Sequence, residues 1–359
     1  MMEMTLRWYG SGYDTVTLKQ IRQIPGVTGV VSTLYGTKPG EVWALSEILA
    51  LKKEVEDSGL KLCGIESVNV HESIKAGTPE REQYLENYRQ TLEHLGQADI
   101  HLVCYNFMPV FDWTRTELAR PRPDGSTVLA YNQETVDAMK PDAMFSSISG
   151  DMNGRVMPGW EPERMAEIQK WFRLYETVDE EQLFANLKVF LKQMMPVCDQ
   201  YDIHMAIHPD DPAWSVFGLP RIITCRKNIL RVMRMVDNPH NGVAFCTGSY
   251  GSNPGNNLPE MIRALKGRIP FAHVRNLKFN APGDFEEAAH LSRDGSFDMY
   301  EIMRAFHDIG FDGVMRPDHG RMIWDEAAMP GYGLYDRALG AVYLNGLWEA
   351  ICKAHDRQA

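Results

Sequence analysis

The C-terminal half of the sequence contains four residues of metal-ligand type, each at the end of a short apolar segment. His208 lies in IHPDDP, Cys246 in FCTGSYG, His273 in AHVRN and Asp318 in MRPDHG. Taken singly, a buried cysteine or a strand histidine is usually a core residue. Because such residues recur at four successive strand ends, each about one strand–helix unit apart, the pattern instead predicts a shared metal site.

The predicted ligand set narrows the choice of ion. Two imidazoles, one thiolate and one carboxylate are too soft a set to prefer Mg²⁺ or Ca²⁺, which leaves Fe²⁺, Mn²⁺ or Zn²⁺. A four-coordinate Zn²⁺ would be closed and structural, whereas an ion with five or six ligands keeps open positions for substrate oxygens. We therefore expect one catalytic Mn²⁺ or Fe²⁺ ion per chain.

His319 and Tyr332 are the candidate acid and base. His319 directly follows Asp318, so its side chain points away from the ligand's direction and is suited to proton transfer near neutral pH. Tyr332 lies in MPGYGLYD, a glycine-rich loop after the last predicted strand, where it could act opposite His319. The sequence does not decide which of the two is the base, and a purely structural role stays open for each.

Four cationic or polar residues are candidates for binding an anionic, sugar-sized substrate. Arg275 follows His273 by two positions and Arg316 precedes Asp318 by two, so both lie at predicted strand ends. Guanidinium groups bind carboxylates through two parallel hydrogen bonds. His290 and Arg115, which have aromatic neighbours in the sequence, are weaker candidates, and an ordinary ion pair is the alternative role for the arginines.

The elements that must position these residues alternate in type. Apolar, β-branched segments are separated by longer stretches in which apolar residues recur three and four positions apart, as in 42–59, 81–96 and 180–201. Strand–helix units repeated eight times are typical of a (β/α)₈ TIM barrel, in which catalytic residues lie at the C-terminal ends of the strands. The eight predicted strands are 4–10, 26–34, 61–68, 101–107, 203–209, 242–248, 270–276 and 313–320.

One interval interrupts the alternation. Residues 108–179 are rich in proline and of mixed polarity, and we interpret them as a long insertion after strand 4 within a single domain spanning 1–359. Since it follows a strand's C-terminal end, it is expected over the active-site face as a lid or an oligomer contact. A surface excursion without function is the alternative.

Composition excludes several classes of protein. With 37 Lys and Arg against 48 Asp and Glu the net charge is −11, the wrong sign for neutralising nucleic-acid phosphates. We find neither an apolar segment of membrane-spanning length nor a secretory signal. The six cysteines are widely spaced without a CxxC pair. We therefore expect a cytoplasmic protein that binds neither nucleic acid nor membrane.

Several longer motifs resemble those of the mannonate dehydratases of the xylose-isomerase-like barrel type. The resemblance spans nearly the whole chain and departs from the expected pattern at SGYD, residues 11–14, where a Gly-Pro-Asn-Asp type of turn is expected. The motifs that carry it are RWYG (7–10), GEVW (40–43), ESVNVHESIK (66–75), YNFMPVFDWTRTE (105–117), HPDDP (208–212), GLPRI (218–222), CTGSYG (246–251), EAAHL (287–291) and MRPDHG (315–320).

The resemblance implies a specific reaction and site. It implies dehydration of D-mannonate to 2-dehydro-3-deoxy-D-gluconate in hexuronate (glucuronate) catabolism, with Mn²⁺ or Fe²⁺. The family's ligands fall on the same four positions, and its acid/base pair falls on His319 and Tyr332. We also expect a homo-oligomer, a dimer or larger.

Two other functions remain open at this point. A sugar isomerase or epimerase would use the same barrel, although its metal sites are usually richer in carboxylates and rarely include a thiolate. A non-catalytic sugar-acid sensor, or a barrel with a structural metal, would hold a closed four-coordinate ion and show no turnover. Formation of a 2-keto acid from D-mannonate separates a dehydratase from both.

Overall fold

Eight parallel strands close into a barrel, which confirms the predicted (β/α)₈ fold. The structure, a computed structural model, describes residues 2–139 and 168–356. The order around the barrel is β1-β12-β9-β8-β7-β4-β3-β2. In chain order the strands are β1 (Glu3–Arg7), β2 (Gly29–Ser32), β3 (Lys61–Glu66), β4 (Leu102–Tyr105), β5 (Glu117–Pro121), β6 (Thr127–Asn132), β7 (His204–Ile207), β8 (Asn241–Cys246), β9 (Phe271–His273), β10 (Asn276–Ala281), β11 (Asp284–Ala288) and β12 (Val314–Arg316).

Helices link successive barrel strands and cover their outer face. The longest between two barrel strands is α7, which begins after Asp179, whose side chain accepts the backbone N–H of Gln182. The helices are α1 (Leu18–Arg22), α2 (Leu45–Asp57), α3 (Glu72–Ala76), α4 (Arg81–Gln97), α5 (Gln133–Ala138), α6 (Ile168–Tyr175), α7 (Glu180–Tyr201), α8 (Arg226–Met235), α9 (Thr247–Gly251), α10 (Leu258–Ala264), α11 (Met299–Asp308) and α12 (Leu334–Asp356).

Burial on both faces explains why the barrel strands are continuous apolar segments in the sequence rather than alternating apolar and polar residues. Every residue of β2, β4 and β8 is buried, because one face fills the barrel and the other packs under the helices. The barrel interior holds a small apolar cluster that includes Cys104, Ala206 and Phe271. A larger core lies between barrel and helices. This packing fixes the strand ends on which the site is built.

A second sheet lies beside the barrel. It is antiparallel, with the order β10-β11-β6-β5, and so joins two distant segments of the chain. Strands β5 and β6 come from the predicted insertion 108–179, of which residues 140–167 lie outside the described residues. The hairpin β10–β11 occupies 276–288, where no strands were predicted, so the unit after β9 contains a hairpin before its helix. Among the described residues, none of the helices has the length and apolar character needed to cross a membrane.

Candidate metal centre and acid/base pair

Three of the four predicted metal ligands meet at the C-terminal end of the barrel. One ligand atom from each of His208, Cys246 and His273 lies within 4.8 Å of the other two. Cys246 and His273 are the last residues of β8 and β9 and are paired in register, while His208 follows β7. The strand-end spacing in the sequence is therefore matched by proximity in space.

The hydrogen bond of His208 and the lowered pKa of both histidines favour metal binding. Nδ1 of His208 lies 2.8 Å from the carbonyl oxygen of Pro209, which can only accept, so Nδ1 carries the proton and Nε2 keeps a free lone pair. Nε2 of His273 is buried and makes no hydrogen bond among the described residues, but it lies 3.5 Å from Oε1 of Glu66, and Nδ1 of the same ring lies 3.4 Å from a guanidinium nitrogen of Arg316. Burial lowers the pKa of both rings and thus favours the neutral form that a ligand needs.

Cys246 is fully buried and is approached by hydrogen-bond donors. It caps the short helix α9, and the backbone N–H of Ser249 donates to its Sγ at 3.3 Å. The Ser249 hydroxyl lies 3.0 Å from the same sulfur. Without a metal ion, burial outweighs the nearby Arg275 and raises the pKa of the thiol to about 12. Metal binding at this position must therefore displace a proton.

Asp318 contacts this group but is also tied to two arginines. Its Oδ2 lies 3.4 Å from Sγ of Cys246, and its Oδ1 lies 4.0 Å from Nδ1 of His273. Arg316 approaches Oδ1 at 2.6 Å, and Arg275 pairs with Oδ2. Asp318 has a left-handed backbone (φ 61°), which aspartate tolerates and which turns His319 in a different direction.

Carboxylates and guanidinium groups surround the centre in a buried ion network. Asp211, for example, contacts Arg115 and Arg275 at 2.7 Å each. Burial alone would raise the pKa of Asp211, but these two cations hold it well below its usual range. The network pairs four carboxylates with four guanidinium groups, namely Glu66, Asp211, Glu287 and Asp318 with Arg7, Arg115, Arg275 and Arg316.

His319 and Tyr332 form a hydrogen-bonded pair. Nε2 of His319 lies 2.8 Å from the Tyr332 hydroxyl, and its Nδ1 lies 3.1 Å from Oε1 of Glu287. Since the carboxylate only accepts, Nδ1 is protonated and the tyrosine donates to Nε2. The sequence suggested that the two side chains act from opposite sides; in the structure they are adjacent, because the loop after β12 folds Tyr332 back over His319.

A cavity of about 90 Å³ lies beside this pair. Arg275, Arg316, Asp318, His319 and Tyr332 all line it, together with His208. An adjoining cavity of about 770 Å³ shares some of its walls, formed by Arg7, Ser67, Asn106 and Asp112.

The two weaker candidates, Arg115 and His290, do not line the small cavity. Arg115 is buried and holds Asp211 and Glu287, while Nε2 of His290 bonds the carbonyl of Pro317 at 2.7 Å. Arg115 therefore supports Asp211, which lines the cavity, and Glu287, which contacts His319, whereas His290 holds the backbone directly before Asp318.

Sequence reasoning missed three acidic residues of the site. Glu66 ends β3, so the strand-end rule could have found it; Arg316 and Arg7 outweigh its burial and lower its pKa to about 2. Asp211 lies within the HPDDP motif. Glu287 lies on the unpredicted hairpin β10–β11, and only its place in the EAAHL motif marks it.

Comparison with known proteins gives matches over the whole chain. Residues 2–358 match the family described as D-mannonate dehydratase (UxuA). A mannonate dehydratase of Brachyspira hyodysenteriae is 62% identical over 352 residues, covering 98% of this chain and 99% of that protein. The crystal structure of mannonate dehydratase from Streptococcus suis serotype 2 has a TM-score of 0.90 at 43% identity, covering 99% of this chain and 96% of the other.

More distant structures share the barrel. D-psicose 3-epimerase from Clostridium cellulolyticum H10 has a TM-score of 0.54 at 12% identity, covering 98% of this chain and 97% of the other. At this identity the likeness shows the fold alone.

Proposed function

On the premise that the chain belongs to the D-mannonate dehydratase family, we propose that it converts D-mannonate to 2-dehydro-3-deoxy-D-gluconate and water in hexuronate catabolism. Membership confirms the resemblance drawn from motifs such as YNFMPVFDWTRTE and MRPDHG, and it makes the chain a hydro-lyase. The observation that carries the proposal is a hydrogen-bonded acid/base pair beside a cluster of metal-ligand side chains at one barrel end.

We assign the metal to His208, Cys246 and His273, with Asp318 as the fourth ligand. The donor set suits Mn²⁺ or Fe²⁺, and the lone pair on Nε2 of His208, which the hydrogen bond at Nδ1 leaves free, supports the fit. The net charge of the site also supports this metal assignment. The buried ion network is balanced, so a divalent cation beside the Cys246 thiolate leaves one excess positive charge, which a sugar acid would neutralise. A bound divalent ion would stabilise the negative charge that develops when the C2–H bond of the substrate breaks.

His319 and Tyr332 are proposed to move the protons. When the C3 hydroxyl of the substrate takes over the hydrogen bond from Tyr332, Nε2 of His319 becomes free to take the proton from C2, and the Tyr332 hydroxyl gives its proton to that C3 hydroxyl, which leaves as water. The 2.8 Å hydrogen bond then returns the proton from His319 to Tyr332 while the enol becomes the 2-keto product. Glu287 holds Nδ1 of His319 and so keeps Nε2 directed at its partner.

Arg275 and Arg316 are the proposed substrate-binding cations. Both line the small cavity and are already paired with Asp318, so an incoming carboxylate meets donors that are fixed in place. Arg115 and His290, which do not line it, are assigned to positioning instead. The adjoining larger cavity is the proposed route by which the substrate enters.

Self-association is proposed through α12. Tyr335, Leu339 and Val342 recur at helical spacing on one face and are 40%, 48% and 44% exposed. Trp324, 68% exposed, packs near Tyr335 with ring centroids 5.4 Å apart. Such a clustered apolar face supports contact with a second copy. The insertion 108–179 is proposed as a lid or further contact, and the location as cytoplasmic.

The reaction is tested by anaerobic metal analysis coupled to a D-mannonate assay. Metal-stripped protein is supplied separately with Mn²⁺, Fe²⁺ and Zn²⁺, and 2-keto acid is measured. We expect Mn²⁺ or Fe²⁺ to restore turnover and Zn²⁺ to restore little. Conversion of neutral ketoses without 2-keto acid from D-mannonate would indicate an isomerase, and tight metal binding without any turnover would indicate a sensor.

A further inference from the structure

A second group of histidine and aspartate side chains lies at the opposite end of the barrel. β7 begins at His204, and β8 begins at Asn241, directly after His240. The parallel register pairs Met205 with Asn241, so the two histidines are brought side by side with ring centroids 4.9 Å apart. This end carries the N-termini of the strands, away from the candidate catalytic centre.

Asp202 presents one oxygen to both rings. It follows α7 with a left-handed backbone (φ 54°, ψ 46°), and its N–H bonds the carbonyl of Cys198, which fixes the turn. Its Oδ1 lies 3.0 Å from Nε2 of His240 and 3.8 Å from Nε2 of His204. One ligand atom from each of the three residues lies within 4.8 Å of the other two.

Each ring also has a hydrogen-bond acceptor other than Asp202. Nδ1 of His240 lies 2.9 Å from Oδ1 of Asp199, and the ring of His204 bonds the backbone carbonyl of Pro239. A histidine that donates from one nitrogen to a carboxylate or carbonyl directs the lone pair of the other nitrogen outward, which is the usual arrangement around a metal ion. A simple ion pair needs only one acceptor for each ring, whereas each of these two rings has two.

We propose that Asp202, His204 and His240 form a second site, which binds a divalent transition-metal ion such as Zn²⁺. Two imidazoles and one carboxylate are ligands that Zn²⁺ favours, and the 76% exposure of the Asp202 side chain leaves room for water to complete the coordination. The ion ties the end of α7 to the first residues of two barrel strands, so its role is structural.

The test counts Zn²⁺ bound by the full chain after dialysis against micromolar Zn²⁺. His240→Gln and Asp202→Asn remove single ligands, and asparagine keeps the left-handed turn. His101→Asn is the matched control, because the asparagine amide can keep the hydrogen bonds that Nδ1 of His101 makes to the carbonyls of Tyr201 and Asp202, while the ring and its Nε2 contact with Asp99 are removed. Dehydratase activity with Mn²⁺ checks that each variant is folded.

We expect the wild type and His101→Asn to bind one more Zn²⁺ per chain than either ligand variant, and to gain thermal stability with Zn²⁺ that the ligand variants lack. Equal Zn²⁺ content in all four proteins would overturn the proposal. So would loss of the ion in His101→Asn, or extra binding that appears only at millimolar Zn²⁺, since either result would indicate nonspecific binding by surface histidines.

Discussion

Replacing Glu287 with glutamine tests whether Glu287 positions His319, with little change to the other parts of the site. Glu287 is buried and contacts Arg115 at 2.9 Å, Arg275 at 3.1 Å and His319 at 3.1 Å. Both arginines keep Asp211 at 2.7 Å after the substitution, so neither is left as an unpaired buried charge. His319 is therefore the residue that is left without a carboxylate partner.

The size of the effect follows from these contacts. The NH₂ group of the glutamine faces at least one N–H donor from which the carboxylate of Glu287 accepted a hydrogen bond. This mismatch lowers the free energy of unfolding by about 1–3 kcal/mol, less than the roughly 3–5 kcal/mol expected when a buried ion pair is broken. Without its carboxylate partner, the imidazole of His319 is no longer held in one tautomer and one orientation. We expect kcat for D-mannonate to fall by about 10²–10⁴-fold. We expect KM to change little, because Glu287 does not line the small cavity and Arg275, which does, keeps its contacts with Asp211 and Asp318.

Glu286→Gln is the matched control. Glu286 is the neighbouring residue on β11, so its side chain points to the other face and pairs with Arg120 and Arg122. Steady-state 2-keto acid formation, bound metal and urea unfolding are measured for both variants. A kcat for Glu287→Gln within about twofold of the control would refute the positioning of His319 by Glu287.

Three other outcomes test the remaining assignments. Cys246→Ser and His208→Ala should each lower metal affinity by at least about tenfold; full metal content with normal activity in either variant would show that the ligand set is wrong. His319→Ala should keep its metal while kcat falls by about 10²–10⁴-fold, and loss of metal would instead make His319 a ligand. Leu339→Glu should reduce the oligomeric mass seen by light scattering, whereas Leu49→Glu, at a similar 46% exposure, should not; an unchanged mass for both would place the interface elsewhere.

The sequence predicted the barrel and the strand-end residues because both depend on local patterns. Parallel strands buried on both faces are apolar runs, and a residue that ends such a run must lie at the same barrel end as its counterparts. The spacing of His208, Cys246 and His273 in the sequence was therefore enough to predict that they lie close together. The hairpin β10–β11 was not predictable in this way, because β11 pairs with β6 from the insertion, a contact between segments far apart in the chain.

The same distinction explains why the ionisable partners were missed. Whether Arg275 binds the substrate or a carboxylate of the protein depends on residues of other strands and loops, such as Asp211 and Glu287. The sequence around Arg275 does not show that these residues lie next to it. The buried ion network is consequently a property of the folded chain. Because its charges already balance, the proposed Cys246 thiolate, divalent cation and sugar-acid anion together would add no net charge to it. Each charge in that set lowers the cost of burying the others, so metal binding and sugar-acid binding are expected to strengthen one another.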